Sequence, residues 1–266
     1  LTMHRLLITG ASGGLGSLLR EKLKGKADIL RLSDIVDPGP AGEGEECVAC
    51  DLGDYDAVMK LVEGCDGIIH LGGRSIEDTF EVILNANIRG TYHIYEAARK
   101  HGRPRIIFAS SNHAIGFHSV LDRLDGMSPQ RPDSLYGVSK CYGEALASYY
   151  ADKFDVETVS VRIGSCFPEP KDRRMLNTWL SGDDFVRLID ASFSAPVVGH
   201  TVVYGASANQ GSWWDNSHAA FLGWQPQDSS EKYRAKVEAA SPPQDPEDPA
   251  TLFQGGGFAA AGHYED

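Results

Sequence analysis

Basic residues are in short supply. The chain of 266 residues carries 25 lysines and arginines against 37 aspartates and glutamates, a net charge of −12. That balance excludes general affinity for nucleic acid or an anionic membrane surface. A small anionic ligand is still admissible, because one local arginine can dominate a pocket. Cysteine is sparse as well, with five scattered residues. Their odd number, and the lack of a long apolar segment in "LTMHRLLITG", predict reduced thiols and a cytoplasmic protein. Cys47 and Cys50 form a C-x-x-C pair. No second pair or histidine couple completes a tetrahedral set, so no metal is expected and the thiols read as structural. Nor does any run reach the ~18 apolar residues of a membrane span. Internal repeats and low-complexity blocks are also missing.

What the chain does have is alternation. "RLLIT" (5–9), "DILRLSD" (28–34), "ECVACD" (46–51), "DGIIHLGG" (66–73), "PRIIFASS" (104–111) and "ETVSVRIG" (157–164) read as buried strands. Helical stretches separate most of them, among them "LGSLLREKLKG", "YDAVMKLVEG" and the long "FEVILNANIRGTYHIYEAARKHG". The order predicts an α/β fold, a doubly wound parallel sheet of Rossmann type. Residues 1–165 are expected to form the dinucleotide-binding core. Residues 166–266 are expected to be a small substrate-binding part interleaved with it, ending in an irregular Pro/Gly/acid-rich tail that wraps over the body or a neighbour. "DDFVRLIDASFSA" reads there as a helix and "HTVVYGAS" as another strand.

Strand one runs into "TGASGGLG", where Gly10, Gly13 and Gly16 precede a helix. Glycines at this spacing allow a tight turn and close approach of a pyrophosphate to the helix N-terminus. Asp34 ends strand two, where a carboxylate accepts from a ribose 2′-OH and repels a 2′-phosphate, which favours NAD over NADP. Arg31 is placed off that face by the strand alternation. Asp51, at the end of strand three, is expected to meet the adenine amino group beside Leu52. Leu71, Gly72 and Gly73 of "HLGG" fall at the edge of strand four, near the same crevice.

"SLYGVSKCYGE" (134–144) sets Tyr136 and Lys140 one turn apart on an amphipathic helix. Oxidising an alcohol requires an acceptor for the hydroxyl proton. A free phenol, with a pKa of about 10, needs help in that role. Lysine one turn away supplies it by favouring the phenolate. Tyr136 is therefore the expected base, Lys140 its activator and an anchor for the cofactor ribose, and Ser111 the donor that orients the substrate oxygen.

The T-G-x-x-G-x-x-G turn, "HLGG", "FASSN", "YGVSK" and Asn87 of "NANIRG" together resemble the extended short-chain dehydrogenases/reductases over residues 5–165. The resemblance assigns the catalytic roles to Ser111, Tyr136 and Lys140. It also adds Gly14, Leu15, Asn87 and Ile163 to the cofactor contacts. "HLGG" stands where the family has H-L-A-A, which is expected to open room near the nicotinamide. The C-terminal part is short for a nucleotide-sugar annex. "LGGRSIED", "FASSNHAIGF", "VRIGSCFPEP", "RRMLNTWLS", "GASANQGSWWDNSHAAFLGWQP" and "FQGGGF" extend the likeness, nearly end to end, to the uronate dehydrogenases. That resemblance implies NAD-dependent oxidation of the C1 hydroxyl of cyclic glucuronate or galacturonate to an aldarolactone. It places Ser75, Ser111, Asn112, His113, Tyr136, Ser165 and Arg174 at the sugar, with a homo-oligomeric assembly. Arg174 is the expected carboxylate receptor and Arg173 its rival. Trp213 and Trp214 are read as packing. An epimerase or dehydratase that recycles its NAD, and a non-catalytic dinucleotide sensor, are the other readings. Retention of Tyr136, Lys140 and Ser111 together favours catalysis.

Overall fold

β1 (Met3–Thr9) is buried on both faces because its apolar residues alternate between two cores. Leu6 and Ile8 point to one side and Leu7 to the other. The structure, a computed structural model, describes residues 3–266. β2 (Ala27–Asp34), β3 (Glu45–Ala49), β4 (Gly67–His70), β5 (Arg105–Ser111), β6 (Thr158–Ile163) and β7 (His200–Gly205) complete a parallel sheet of order β3-β2-β1-β4-β5-β6-β7. The chain moves outward from β1 first through β2 and β3, then back to β4. This reversal leaves a crevice above the carboxyl ends of β1 and β4.

Helices cover both faces. α1 (Gly14–Lys22) and, much later, α7 (Gly182–Ser194) pack on the core containing Leu6, Ile8 and Leu30. α2 (Tyr55–Val62), α4 (Gly90–Lys100) and α5 (Leu135–Phe154) pack on the core of Leu7, Ile68 and Ile106. Hydroxyl and carboxylate caps set where these helices begin. Asp54 accepts from Ala57 N at 3.0 Å, Ser134 from Gly137 N at 2.9 Å and Ser181 from Asp184 N at 2.9 Å. Among the described residues, no helix is long and apolar enough to cross a membrane.

Several boundaries differ from the sequence pattern. The long segment starting at Phe80 is not continuously α-helical. α3 (Phe80–Ile83) passes through a π-helical stretch, Leu84–Arg89, before α4. Such a bulge re-aims side chains, and here it carries Asn87 inward. β3 stops two residues before Asp51. α5 is less simply amphipathic than its sequence suggests, since its buried face includes Ser139, Lys140 and Glu144. The stretch "PEPKDRRM" is loop until α6 (Met175–Thr178). β7 pairs with β6, so the second part of the chain is woven into the first. The last segment contains α8 (Arg234–Ala240), α9 (Pro249–Leu252) and α10 (Gly257–Ala260). It lies on the body of its own chain, through a bridge between Ser119 and Phe253.

The thiols are structural in their surroundings. Burial pushes Cys50 and Cys65 up to about 11 and Cys166 up to about 12, far from the thiolate form that reacts or binds metal.

Under the floor of the cleft lies a buried ion pair. Arg162 Nε and Nη2 each donate to one oxygen of Glu144 at 2.8 Å, with side chains 6% and 3% exposed. Ser110 Oγ and Gln130 Nε2 also donate to Glu144, each at 2.7 Å. Removing one partner strands a buried charge, so Glu144→Ala should destabilise the fold by about 3–5 kcal/mol. Urea unfolding measures this, and a loss below about 1 kcal/mol would mean that solvent reaches the orphaned guanidinium.

Candidate active site

The glycine turn begins with Gly10, whose φ of +69° lies in the left-handed region. A Cβ on Gly16 would fall 2.2 Å from Gly10 O, so α1 can close onto the turn only with glycine there. No side chain caps the N-terminus of α1 and no acid stands in its first turn. The unpaired N–H groups and positive end of the helix therefore face the crevice, as a pyrophosphate requires. Asp34 is fixed beside them, its Oδ2 accepting from Ser12 N (2.9 Å) and Oδ1 from Ile35 N (2.8 Å). Its remaining lone pairs suit ribose hydroxyls. Arg31 turns away to Glu46 (2.7 Å) and to the carbonyls of Leu61 and Glu63. These groups fit NAD.

One cavity, about 1530 Å³, runs from this turn across the sheet edge. Gly10, Gly13, Gly14, Leu15, Gly16 and Asp34 wall one end, and Leu71, Gly73, Ser75 and Ile163 the middle. Ser111, Asn112, His113, Tyr136, Lys140, Ser165 and Arg174 wall the other end. Four expected contacts, Asp51, Leu52, Gly72 and Asn87, are not part of this lining. Asp51 folds back to accept from Gly53 N at 2.8 Å. Leu52 fills the space where a Cβ on Gly72 would lie, 2.8 Å from its Cδ1. A Cβ on Gly73 would meet Asn87 Oδ1 at 2.6 Å. The glycines of "HLGG" thus admit protein atoms instead of opening room for the nicotinamide.

Asn87 pins this loop. It accepts from Arg74 N at 2.7 Å and donates to Arg74 O and Ser139 Oγ, each at 3.0 Å. Thr9 Oγ1 accepts from Gly72 N at 3.0 Å and bonds His70 Nδ1 at 2.8 Å. Burial lowers His70 to about 3, so the imidazole stays neutral in this support. Glu77, which the sequence reading missed, accepts from Leu135 N (2.7 Å) and Tyr136 N (2.9 Å). It ties the loop carrying Ser75 to the first turn of α5 and satisfies two orphan donors there.

Tyr136 is 7% exposed. Burial pushes its phenol up to about 12, while a hydrogen bond with Ser111 pulls it back. The expected lowering by Lys140 is not the governing effect in the protein alone. Lys140 Nζ, 5.2 Å from the centre of the Tyr136 ring, donates to Ala109 O at 2.8 Å. Burial in turn lowers Lys140 to about 8. An ammonium held this way is costly, because folding favours its neutral form. The unfolded chain binds the extra proton between about 8 and the ordinary lysine value of about 10.4, so stability rises with pH through that window. Lys140→Met should remove this dependence while abolishing turnover. Thermal unfolding from pH 7 to 10 checks it, and an unchanged slope would assign the dependence to another group.

At the far end, Arg174 Nε donates to Gln254 O at 2.8 Å. Asn112 is oriented so that its amide oxygen accepts from Arg174 Nη2 and its nitrogen donates to Ile163 O at 3.1 Å. Burial lowers the Arg174 pKa, with Asp172 and Asp133 opposing. No carboxylate forms an ion pair with Arg174 among the described residues, while Arg173 turns to α8 through Glu238 O and Ser241 O. Ser165 Oγ bonds Thr178 Oγ1 at 2.9 Å. The tail supplies a wall, Phe258, and an anchor behind it, Gln254, that the sequence pattern did not reveal. Phe258 stacks on His113 with ring centres 3.8 Å apart and stands edge-on to Tyr136 at 6.2 Å. Gln254 is wholly buried, donating to Ser119 O and Asp122 O (3.0 Å each) and accepting from Trp214 Nε1 (2.9 Å). Trp214 also stacks on Tyr204, which gives the tryptophan pair its packing role.

Residues 6–182 match the NAD dependent epimerase/dehydratase family. A uronate dehydrogenase of Pseudomonas putida is 60% identical over 98% of this chain and 97% of its own length. The solved structure of a glucuronic acid dehydrogenase from Chromohalobacter salexigens superposes with a TM-score of 0.98 at 60% identity, covering 100% of both chains. A mutant uronate dehydrogenase from Agrobacterium tumefaciens, solved in complex with NAD, gives 0.96 at 57% identity over 97% of this chain and 98% of that one.

Proposed function

Because the chain belongs to the NAD dependent epimerase/dehydratase family, we propose that it oxidises the C1 hydroxyl of cyclic hexuronates to the aldarolactone with NAD as acceptor. The observation that carries this reading is a half-buried arginine, without a carboxylate ion-pair partner among the described residues, in the same cavity as a Ser–Tyr–Lys set. A hexuronate brings the missing carboxylate to Arg174 and a C1 hydroxyl to Tyr136.

NAD, when bound, supplies the hydride acceptor and a cationic ring that favours the phenolate. The glycine turn and α1 hold its pyrophosphate, and Asp34 its adenosine ribose. Lys140 anchors the other ribose from Ala109's side of the cleft. Ser111 donates to the substrate oxygen, and Tyr136 Oη takes the C1 hydroxyl proton. The anomeric carbon is already at the aldehyde oxidation level, so the product is a lactone with the ring closed. Arg174 and Asn112 orient the sugar from the carboxylate end, leaving Ser75, His113 and Ser165 for its hydroxyls.

NADH absorbance with glucuronate, galacturonate, glucose and galactose tests the proposal. Net NADH is expected with the two uronates only. Turnover of the neutral sugars would remove the Arg174 argument, and no NADH from any of the four would favour an epimerase that returns its hydride. Asp34→Ala should narrow the preference for NAD over NADP by about tenfold or more, by removing the repulsion of the 2′-phosphate. The ratio of kcat/KM for the two cofactors measures it, and an unaltered ratio would move discrimination to another residue.

A further inference from the structure

Asp133 is a carboxylate with no part in the chemistry above, and its side chain is 0% exposed. Two segments distant in sequence make room for it. A Cβ on Gly116 or Gly255 would fall 1.8 or 1.9 Å from Asp133 Oδ2, so only glycines permit the approach. Oδ1 accepts from Ser134 Oγ at 2.8 Å, and Ser134 caps the helix that carries Tyr136. Oδ2 lies 2.8 Å from His113 Nδ1. The His113 ring is further held by the Phe258 stack on its face, and it lines the cavity. Its Nε2 has no hydrogen-bond partner among the described residues.

An ionised carboxylate offers acceptors only, so the nitrogen facing it must carry the proton. In neutral imidazole the other nitrogen is then a lone pair. We propose that Asp133 is a positioning residue that holds His113 in the Nδ1–H tautomer, so that Nε2 presents an acceptor to a hydroxyl of the sugar ring. The inference rests on reading the cavity as a hexuronate site. Ser75, in the same cavity, offers a hydroxyl able to donate to the sugar, and His113 so fixed adds an acceptor. Both hydrogen-bonding capacities of a ring hydroxyl are then met.

Nitrogen-15 NMR of histidine-labelled protein, with His113→Ala assigning the resonance, reads the tautomer without turnover. The parent is expected to carry the proton on Nδ1. A proton on Nε2 overturns the proposal whatever the variants do. Asp133→Asn replaces an obligate acceptor with an amide able to donate to Nδ1, and should shift the proton toward Nε2. Its kcat/KM for hexuronate should fall by about tenfold or more, with the KM for NAD unchanged. In the pair Asp133→Asn and His113→Ala, the double variant should be about as impaired as His113→Ala alone. Independent, multiplying losses would show that Asp133 acts on the fold instead of through His113. If the parent turns over no hexuronate, the substrate reading fails and the tautomer still decides the role of Asp133.

Discussion

Tyr136→Phe should bind NAD as tightly as the parent and lose hexuronate turnover by about a thousandfold, within the range that general-base catalysis contributes. The substitution removes one oxygen and nothing else from a ring packed against His113 and Phe258. The ring's apolar contacts survive, so the fold and the dinucleotide cradle, built on β1, β2 and α1, are untouched. What disappears is the proposed proton acceptor, which shares the cavity with Ser111. The pH profile carries a second signature. Only the phenolate accepts a proton, and burial opposes the phenolate. The kcat/KM of the parent should therefore rise with pH toward the pKa that the tyrosine adopts with cofactor bound. That rising limb should vanish from the residual activity of the variant. Fluorescence titration with NAD and NADH formation at saturating hexuronate give the two numbers. Turnover within tenfold of the parent would sink the mechanism.

Arg174→Ala should raise the KM for hexuronate by about a hundredfold, the equivalent of 2–3 kcal/mol for truncating one side of a buried charge pair. The KM for NAD should not move. Arg174 is held at its Nε by Gln254 O and meets Asn112 through one terminal nitrogen. The fork is thus oriented before the substrate arrives, and less binding energy goes into ordering it. Arg174→Lys should restore only part of the loss, since a point charge lacks the planar pair of donors. Steady-state kinetics with glucuronate and galacturonate measure all three proteins. An unchanged hexuronate KM in the alanine variant would place the carboxylate elsewhere.

That Ser111, Tyr136 and Lys140 share one cavity was legible in the sequence because the signal for each is local. Tyr136 and Lys140 are one helical turn apart, and Ser111 ends a strand. The glycine turn and Asp34 were legible for the same reason, as each sits at the end of an apolar run. Strand three stops at Ala49, earlier than its apolar pattern does, so Asp51 lies in the turn that follows, where it accepts from Gly53 N. The protonation balance at Tyr136 depends on burial, which no spacing encodes. Asp133, Glu77 and Gln254 were missed for a third reason. Each is an ordinary polar residue whose importance comes from a partner distant in sequence. Glu77 reaches Tyr136 N across 59 positions, and Gln254 reaches Ser119 O across 135.

That last separation has a consequence for how the protein is made. The cradle for the dinucleotide closes early, from neighbouring elements near the start of the chain. The wall of the sugar site waits for residues 254–258, and contacts so remote in sequence form late in folding. They lie outside the strand ladder, so their opening would leave the sheet's pairing intact. Amide exchange in the tail should accordingly be faster than in β1 or β5, and a hexuronate should slow it if it binds as proposed at Arg174, which is bonded to Gln254 O of the tail. The enzyme would then exist transiently as a species able to hold its cofactor and blind to its substrate, and ligand binding would finish the assembly that translation began.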